Sequence, residues 1–199
     1  MKKMLFLLSI AAFIGGLVVA QQYFSKRSLP KSTSVPIAGK QFGGDFTLQP
    51  EGAKAVSLSD FRGKVVVIYF GFASCPDVCP TSLAIIGSAM KSLTEDELAN
   101  VQGLFISLDP ERDTEEKLAQ YAGFFHENFI GITGTQEQLQ KVTKQYGTYY
   151  TKVAGSTELN YLIDHTSVTF VVGKDGKFVT SKSHGATAEQ ITEGIRSAL

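Results

Sequence analysis

The chain has only two cysteines among its 199 residues. That scarcity excludes a disulfide scaffold, and none is needed: 43% of the residues are hydrophobic, 14 Phe among them, which is enough for an ordinary core at this length. Net charge is lacking as well. Nineteen basic residues balance nineteen acidic ones and no block of like charge occurs, which argues against nucleic acid or another polyanion as a partner. From residue 41 onward there is no internal repeat and no low-complexity tract. With three histidines in the chain, imidazole chemistry has few candidates: His126, His165 and His184.

Charge is missing altogether from one long stretch. Met1-Lys2-Lys3 is followed by MLFLLSIAAFIGGLVVA, Met4 to Ala20, and the next charge is Lys26. This reads as an export signal. As a helix the apolar run would measure ~25 Å, at the short end of what spans a bilayer, and Gln21 to Phe24 extend it into the interface. Residues 1–24 are therefore expected to form a transmembrane anchor, the alternative being cleavage near Ala20 and release of a soluble exported protein. Lys26, Arg27 and Lys31 weaken the contrast that would fix its orientation. Residues 25–40, SKRSLPKSTSVPIAGK, have no apolar period and read as a flexible linker. A folded domain is expected over 41–199.

Within that domain the pattern alternates between strand and helix. GGDFTL and AVSLSDF predict short strands or a hairpin at the entrance. KVVVIYFGF, β-branched and aromatic without polar alternation, predicts a central parallel strand covered on both faces. TSLAIIGSAMKSL follows with helical spacing, then VQGLFISLD as a second buried strand and TEEKLAQYAGFF as a second helix. Thr135 to Gln145 predicts a polar helix, and HTSVTFVVG a strand ended by the Lys174-Asp175-Gly176 turn. KFVTSKS is its hairpin partner, and TAEQITEGIRSAL a closing helix capped by Thr187. The fold class is α/β, a mixed central sheet flanked by helices. A thioredoxin-like arrangement satisfies the order.

Both cysteines lie in CPDVC, residues 75–79, after the central strand and before the first long helix, at the carboxyl edge of the sheet where open α/β folds place their sites. Pro80 suits the first helical turn. Cys79 is then at or next to the N-cap, where amides and the helix dipole should favour its thiolate, with Cys75 able to swing against it. A helical turn would set the two Cα atoms ~6 Å apart, within reach of a disulfide, and equally lets both sulfurs face one metal ion. Buried structural cysteines are the bland alternative. Two prolines, an aspartate and an export signal around the only two thiols speak against it.

The residues alone leave two chemistries open, a redox dithiol and a soft-metal site. Two thiolates select Cu(I) or Zn(II), and a third ligand from imidazole would fit Cu(I) or Cu(II). His126 in FFHEN reads as a surface or satisfied helix residue, and His184 in SKSHGAT as a turn or cap. His165 opens the strand HTSVTFVV after the loop AGSTELNYLID and has the better claim to approach the cysteines. Asp77, exposed and acidic in the cysteine loop, reads as solvated, the alternative being that it tunes the thiolates. Asp164, one residue from His165, faces the other way on a strand. Arg112 and Asp113 of DPERD serve a loop and helix start and have no claim as ligands.

The stretches GGDFTL, DFRGKVVVIYFGFASCPDVCPTSL, ISLDPERDT and YLIDHTSVTF, in this order, closely resemble the Sco/SenC family of membrane-anchored copper chaperones over roughly residues 41–199. CPxxCP followed about 90 residues later by DH[ST] is a specific combination. The resemblance implies a thioredoxin-like fold and one copper ion, Cu(I) or Cu(II), bound by Cys75, Cys79 and His165. It also implies a role in assembling the CuA site in subunit II of cytochrome c oxidase, on the periplasmic or equivalent side of a membrane. Subunit II or another cuproprotein would be the partner, with another copper carrier or a thioredoxin-like reductant upstream. The rival class is an extracytoplasmic thiol-disulfide oxidoreductase using the Cys75/Cys79 dithiol, although thioredoxins space their cysteines by two residues. A peroxidase reading of VCPTS ranks last, because nothing at the required spacing supplies the hydroxyl.

Overall fold

The structure is a computed structural model that describes residues 42–157 and 160–199. The anchor expected over 1–24 and the linker over 25–40 lie outside these residues. Among the described residues no helix is long and apolar enough to cross a membrane.

Strands β1 (Thr47–Leu48) and β2 (Val56–Ser57) form the small entrance hairpin expected from the sequence, and a 3-10 turn, Leu58–Phe61, takes the rest of AVSLSDF. Strand β3 (Val65–Gly71) has every side chain buried, because it lies in the middle of a five-stranded sheet. That sheet is completed by β4 (Val101–Ser107), β5 (Phe129–Ile132), β8 (Val168–Val172) and β9 (Phe178–Ser183), in the order β5-β4-β3-β8-β9. The strand read as central and parallel is parallel to β4 only; its other neighbour, β8, runs antiparallel. The apolar run reports burial on both faces, and burial carries no information about direction. The thioredoxin-like order and the mixed sheet are as expected.

Helix α1 (Val78–Lys91) starts one turn earlier than TSLAIIGSAMKSL implies, so Cys79 is its second residue. The other helices are α2 (Glu95–Ala99), α3 (Glu115–Phe125), α4 (Gln136–Gln145) and α5 (Ala188–Arg196). Each of these four is opened by a threonine whose hydroxyl accepts an amide hydrogen bond: Thr94, Thr114, Thr135 and Thr187. The first residue before α1 is Asp77, which makes no such side-chain bond. The amides at the start of α1 are therefore left for another acceptor.

The largest departure from the sequence reading concerns residues 150–165. The sequence reading predicts a loop at AGSTELNYLID; its described residues instead lie in a two-stranded antiparallel sheet, β6 (Tyr150–Thr157) and β7 (Asn160–His165). His165 therefore ends β7 and does not open the strand that follows. One face of the hairpin is turned inward, with Tyr161 and Ile163 buried, and the other carries exposed Leu162 and Asp164. That alternation is present in YLIDH but short, and the preceding glycine and serine hide it.

Candidate metal centre

Three segments converge at the carboxyl end of β3. The loop after β3 carries Cys75, whose amide bonds back to the Phe72 carbonyl at 3.2 Å. Helix α1 delivers Cys79, fully buried, and the end of β7 delivers His165, half-buried. Cys79 Sγ and His165 Nε2 are 3.3 Å apart. Both sulfurs and an imidazole nitrogen lie within 4.8 Å of one another, close enough for one ion to touch all three. Both cysteines are free thiols.

The imidazole is held on its far side. His165 Nδ1 faces the Thr166 carbonyl at 3.3 Å. A carbonyl oxygen only accepts, so this contact suits a proton on Nδ1, and Nε2 is the ring nitrogen turned toward the sulfurs. The rings of Tyr69 and Phe72 meet the imidazole edge-on, with centroids 6.3 and 6.1 Å away. They pack one side of the imidazole against buried rings.

The two thiols are not equivalent. Cys75 is held down to about 5, first because the Cys79 thiol donates to its sulfur, then because the amides of Asp77 and Cys79 do the same. Cys79 N–H reaches Cys75 Sγ at 3.5 Å. Cys75 thus takes the place of the missing threonine cap, and the positive end of α1 acts on it. Cys79 is pushed upward, because it shares its proton with the Cys75 thiolate and is buried. This corrects the sequence-based expectation that the helix start would favour the Cys79 thiolate. A sulfur inside the first turn lies beside the amides, whereas one in the preceding loop can lie on top of them. Because the Cys75 value is depressed, its thiolate persists above about pH 5 and is lost as the pH falls through that value. Alkylation of the reduced chain by iodoacetamide is expected at Cys75 alone, at a rate that stays level from pH 8 to 6 and halves near pH 5. Peptide mapping of the alkylated protein reads both; a midpoint at the free-thiol value of ~8.5 would contradict the cap.

The cysteine loop is braced from β4 and α3. Asp113, 1% exposed, accepts hydrogen bonds from Ala73 N at 2.8 Å, Ser107 Oγ at 2.6 Å and Lys117 Nζ at 2.8 Å. The DPERD residues are loop and helix-start residues as expected, but Asp113 also fixes the backbone two residues before Cys75, which sequence spacing does not disclose. On the other side, Gly71 leaves no room: a Cβ there would lie 2.7 Å from Cys79 Sγ.

The remaining candidates fall elsewhere. His126 follows α3 and accepts from the Asn128 amide through Nδ1 at 3.0 Å; burial lowers its basicity. His184 pairs with Ser82 Oγ at 3.1 Å in the turn after β9. Asp77 and Asp164 are exposed. Among the described residues, Cys75, Cys79 and His165 form the one cluster with ligand atoms close enough for a shared ion.

A family model described as SCO1/SenC matches residues 35–199. The chain is 34% identical over 189 residues to the Bos taurus protein described as a mitochondrial SCO2 homolog, covering 94% of this chain and 71% of that protein. The structure of Arabidopsis thaliana ScoI with copper bound superposes with a TM-score of 0.71 at 33% identity, over 79% of this chain and 97% of that one. BsSco, described as a member of the Sco family of cytochrome c oxidase assembly proteins in which a disulfide switch was identified, gives 0.61 at 25% identity, over 79% and 94%.

Proposed function

The chain belongs to the SCO1/SenC family, and from that membership and the two-sulfur, one-imidazole cluster we propose that it is a copper chaperone held at a membrane by residues 1–24. The observation that carries this reading is the approach of Cys75, Cys79 and His165 to within 4.8 Å. Copper is the cargo. Soft thiolates favour Cu(I), and an imidazole added to them suits either oxidation state. Cys75, already ionised at neutral pH, is the first sulfur available; Cys79 yields its proton on binding; His165 offers Nε2 as the third ligand. The recipient proposed is the CuA site of cytochrome c oxidase subunit II, which the family resemblance supports, with the domain on the extracytoplasmic side.

One observation favours a second reading, a thiol-disulfide oxidoreductase. An accessible thiolate beside a protonated buried thiol is the arrangement of an attacking and a resolving cysteine. Cys75 would attack a partner disulfide. Cys79, losing its proton, would then close the Cys75–Cys79 disulfide and leave the partner two electrons richer, as two thiols that take one proton from Cys79 and one from solvent.

His165 separates the two. The test is an anaerobic Cu(I) titration of the reduced full chain against a competing chelator, beside Cys75→Ser, Cys79→Ser and His165→Ala. Loss of an outer-sphere partner of a metal ligand typically costs 10–100-fold in affinity, so removing a ligand itself is expected to cost about 100-fold or more. Equal affinity in wild type and His165→Ala, with disulfide exchange intact, would sink the chaperone reading in favour of the reductase.

A further inference from the structure

The strand that carries His165 is tied to the rest of the protein in an unusual way. Strands β6 and β7 pair only with each other and join neither edge of the five-stranded sheet. The hairpin's own ladder sets His165 opposite Tyr150, and the ladder of the large sheet resumes only at Val168, so side-chain contacts share in setting where β7 lies against the rest of the protein. The cysteines are differently placed: one is in the loop leaving the fully buried β3, the other inside α1.

Tyr161 is where the hairpin is gripped. It lies four residues before His165, on the same face of β7, and is 7% exposed. Its hydroxyl donates to Asp109 Oδ1 at 2.5 Å. Arg112 stacks its guanidinium 3.6 Å from the ring centroid and donates through Nη1 to the Tyr161 carbonyl at 2.9 Å. Asp109 is fully buried and also accepts from Arg112 Nε at 2.5 Å. Lys152 on β6 lies 4.7 Å from the same ring and bridges to Glu111 at 2.6 Å. A tyrosine packed only for its bulk would need no buried carboxylate and no stacked guanidinium. The loop that grips it, residues 109–113, is the one whose Asp113 bonds Ala73 in the cysteine loop.

We infer that Asp109, Arg112 and Tyr161 form a clamp that positions His165 as the third ligand. These are positioning residues, acting through the hairpin, and the inference rests on the reading of the cluster as a metal site. The decisive variant is Tyr161→Phe, which keeps the ring and deletes the bond to Asp109; Arg112→Lys, which keeps the charge and deletes the stack, is the second. In the metal-free full chain, amide hydrogen exchange is expected to speed up at Ile163–His165 and stay at wild-type rates at Cys75–Val78. Copper affinity is expected to fall about 10–100-fold, as for other groups that orient a ligand. Placed in a His165→Ala background, the same change should alter affinity by less than about 2-fold, the range within which independent sites add.

An equal loss in both backgrounds would overturn the clamp, because it would mean general damage reaching the sulfurs. So would wild-type exchange in the hairpin of both variants. The exchange measurement uses no metal, so it decides the clamp even if wild-type protein binds copper weakly, the result that counts against the proposed function.

Discussion

Asp113→Ala is expected to destabilise the fold by about 2–4 kcal/mol, read from the shift of a denaturant midpoint at constant slope. The figure comes from what the carboxylate leaves behind. Asp113 is 1% exposed and accepts three hydrogen bonds, from Ala73 N, Ser107 Oγ and Lys117 Nζ. Stripping one partner from a buried ion pair typically costs ~3–5 kcal/mol because a charge is stranded. Here the stranded charge would be Lys117, whose side chain is 41% exposed and can hydrate. The larger losses fall on the Ala73 amide and the Ser107 hydroxyl, each worth about 1–3 kcal/mol when left unsatisfied. Asp113→Asn, with one acceptor oxygen, should recover part of the loss. Because Ala73 is two residues from Cys75, the alanine variant is also expected to move the alkylation midpoint of Cys75 upward from about 5. A stability loss with that midpoint unmoved would show that the brace supports the core without shaping the thiol.

Gly71→Ala is the second large effect, and it acts from the opposite wall. The added methyl would meet Cys79 Sγ at 2.7 Å, the Phe105 ring at 3.1 Å and the Tyr69 ring at 3.2 Å. Overpacking a tight core usually costs ~1–3 kcal/mol, and rings embedded in the sheet can yield little, so the upper end is expected. The sulfur is the easiest of the three neighbours to move, since one side-chain rotation displaces it. That rotation would carry it away from His165 Nε2, 3.3 Å distant. Copper affinity is therefore expected to fall about as far as in Cys79→Ser, measured by the same chelator competition. Affinity at the wild-type level, with stability reduced, would show that the backbone of β3 shifts and the sulfur does not.

The cysteine half of the site was legible in the sequence for a physical reason: a fully apolar strand, a loop with two prolines and a helix are all local signals, and CPDVC sits at their junction. What stayed hidden was which sulfur ionises, because that depends on whether Cys75 or Cys79 lies over the first amides of α1, a matter of a few ångströms. His165 is favoured by its position and named as a ligand by resemblance, yet the sequence puts it on the wrong strand, since a hairpin with one solvated face shows only a short alternation. Strand β5 was missed for a related cause. Its Gly131 reads as a breaker, yet it is there because α3 passes so close that a side chain would strike the Leu118 carbonyl. The hold of Asp109 on Tyr161 spans 52 residues of sequence, and no local pattern reports a contact of that range.

The separation of the ligands along the chain has a consequence for when cargo can be held. The two thiols are four residues apart, but His165 lies 86 residues beyond Cys79. Closing a loop of that length in an unfolded chain costs on the order of 4 kcal/mol of entropy before any contact is gained. Under the proposed function, a newly made chain would meet copper first as a two-sulfur scavenger with an exchangeable hold. On that reading the third bond would become available only once β7 has docked, and maturation of the polypeptide and commitment of the ion would be the same event.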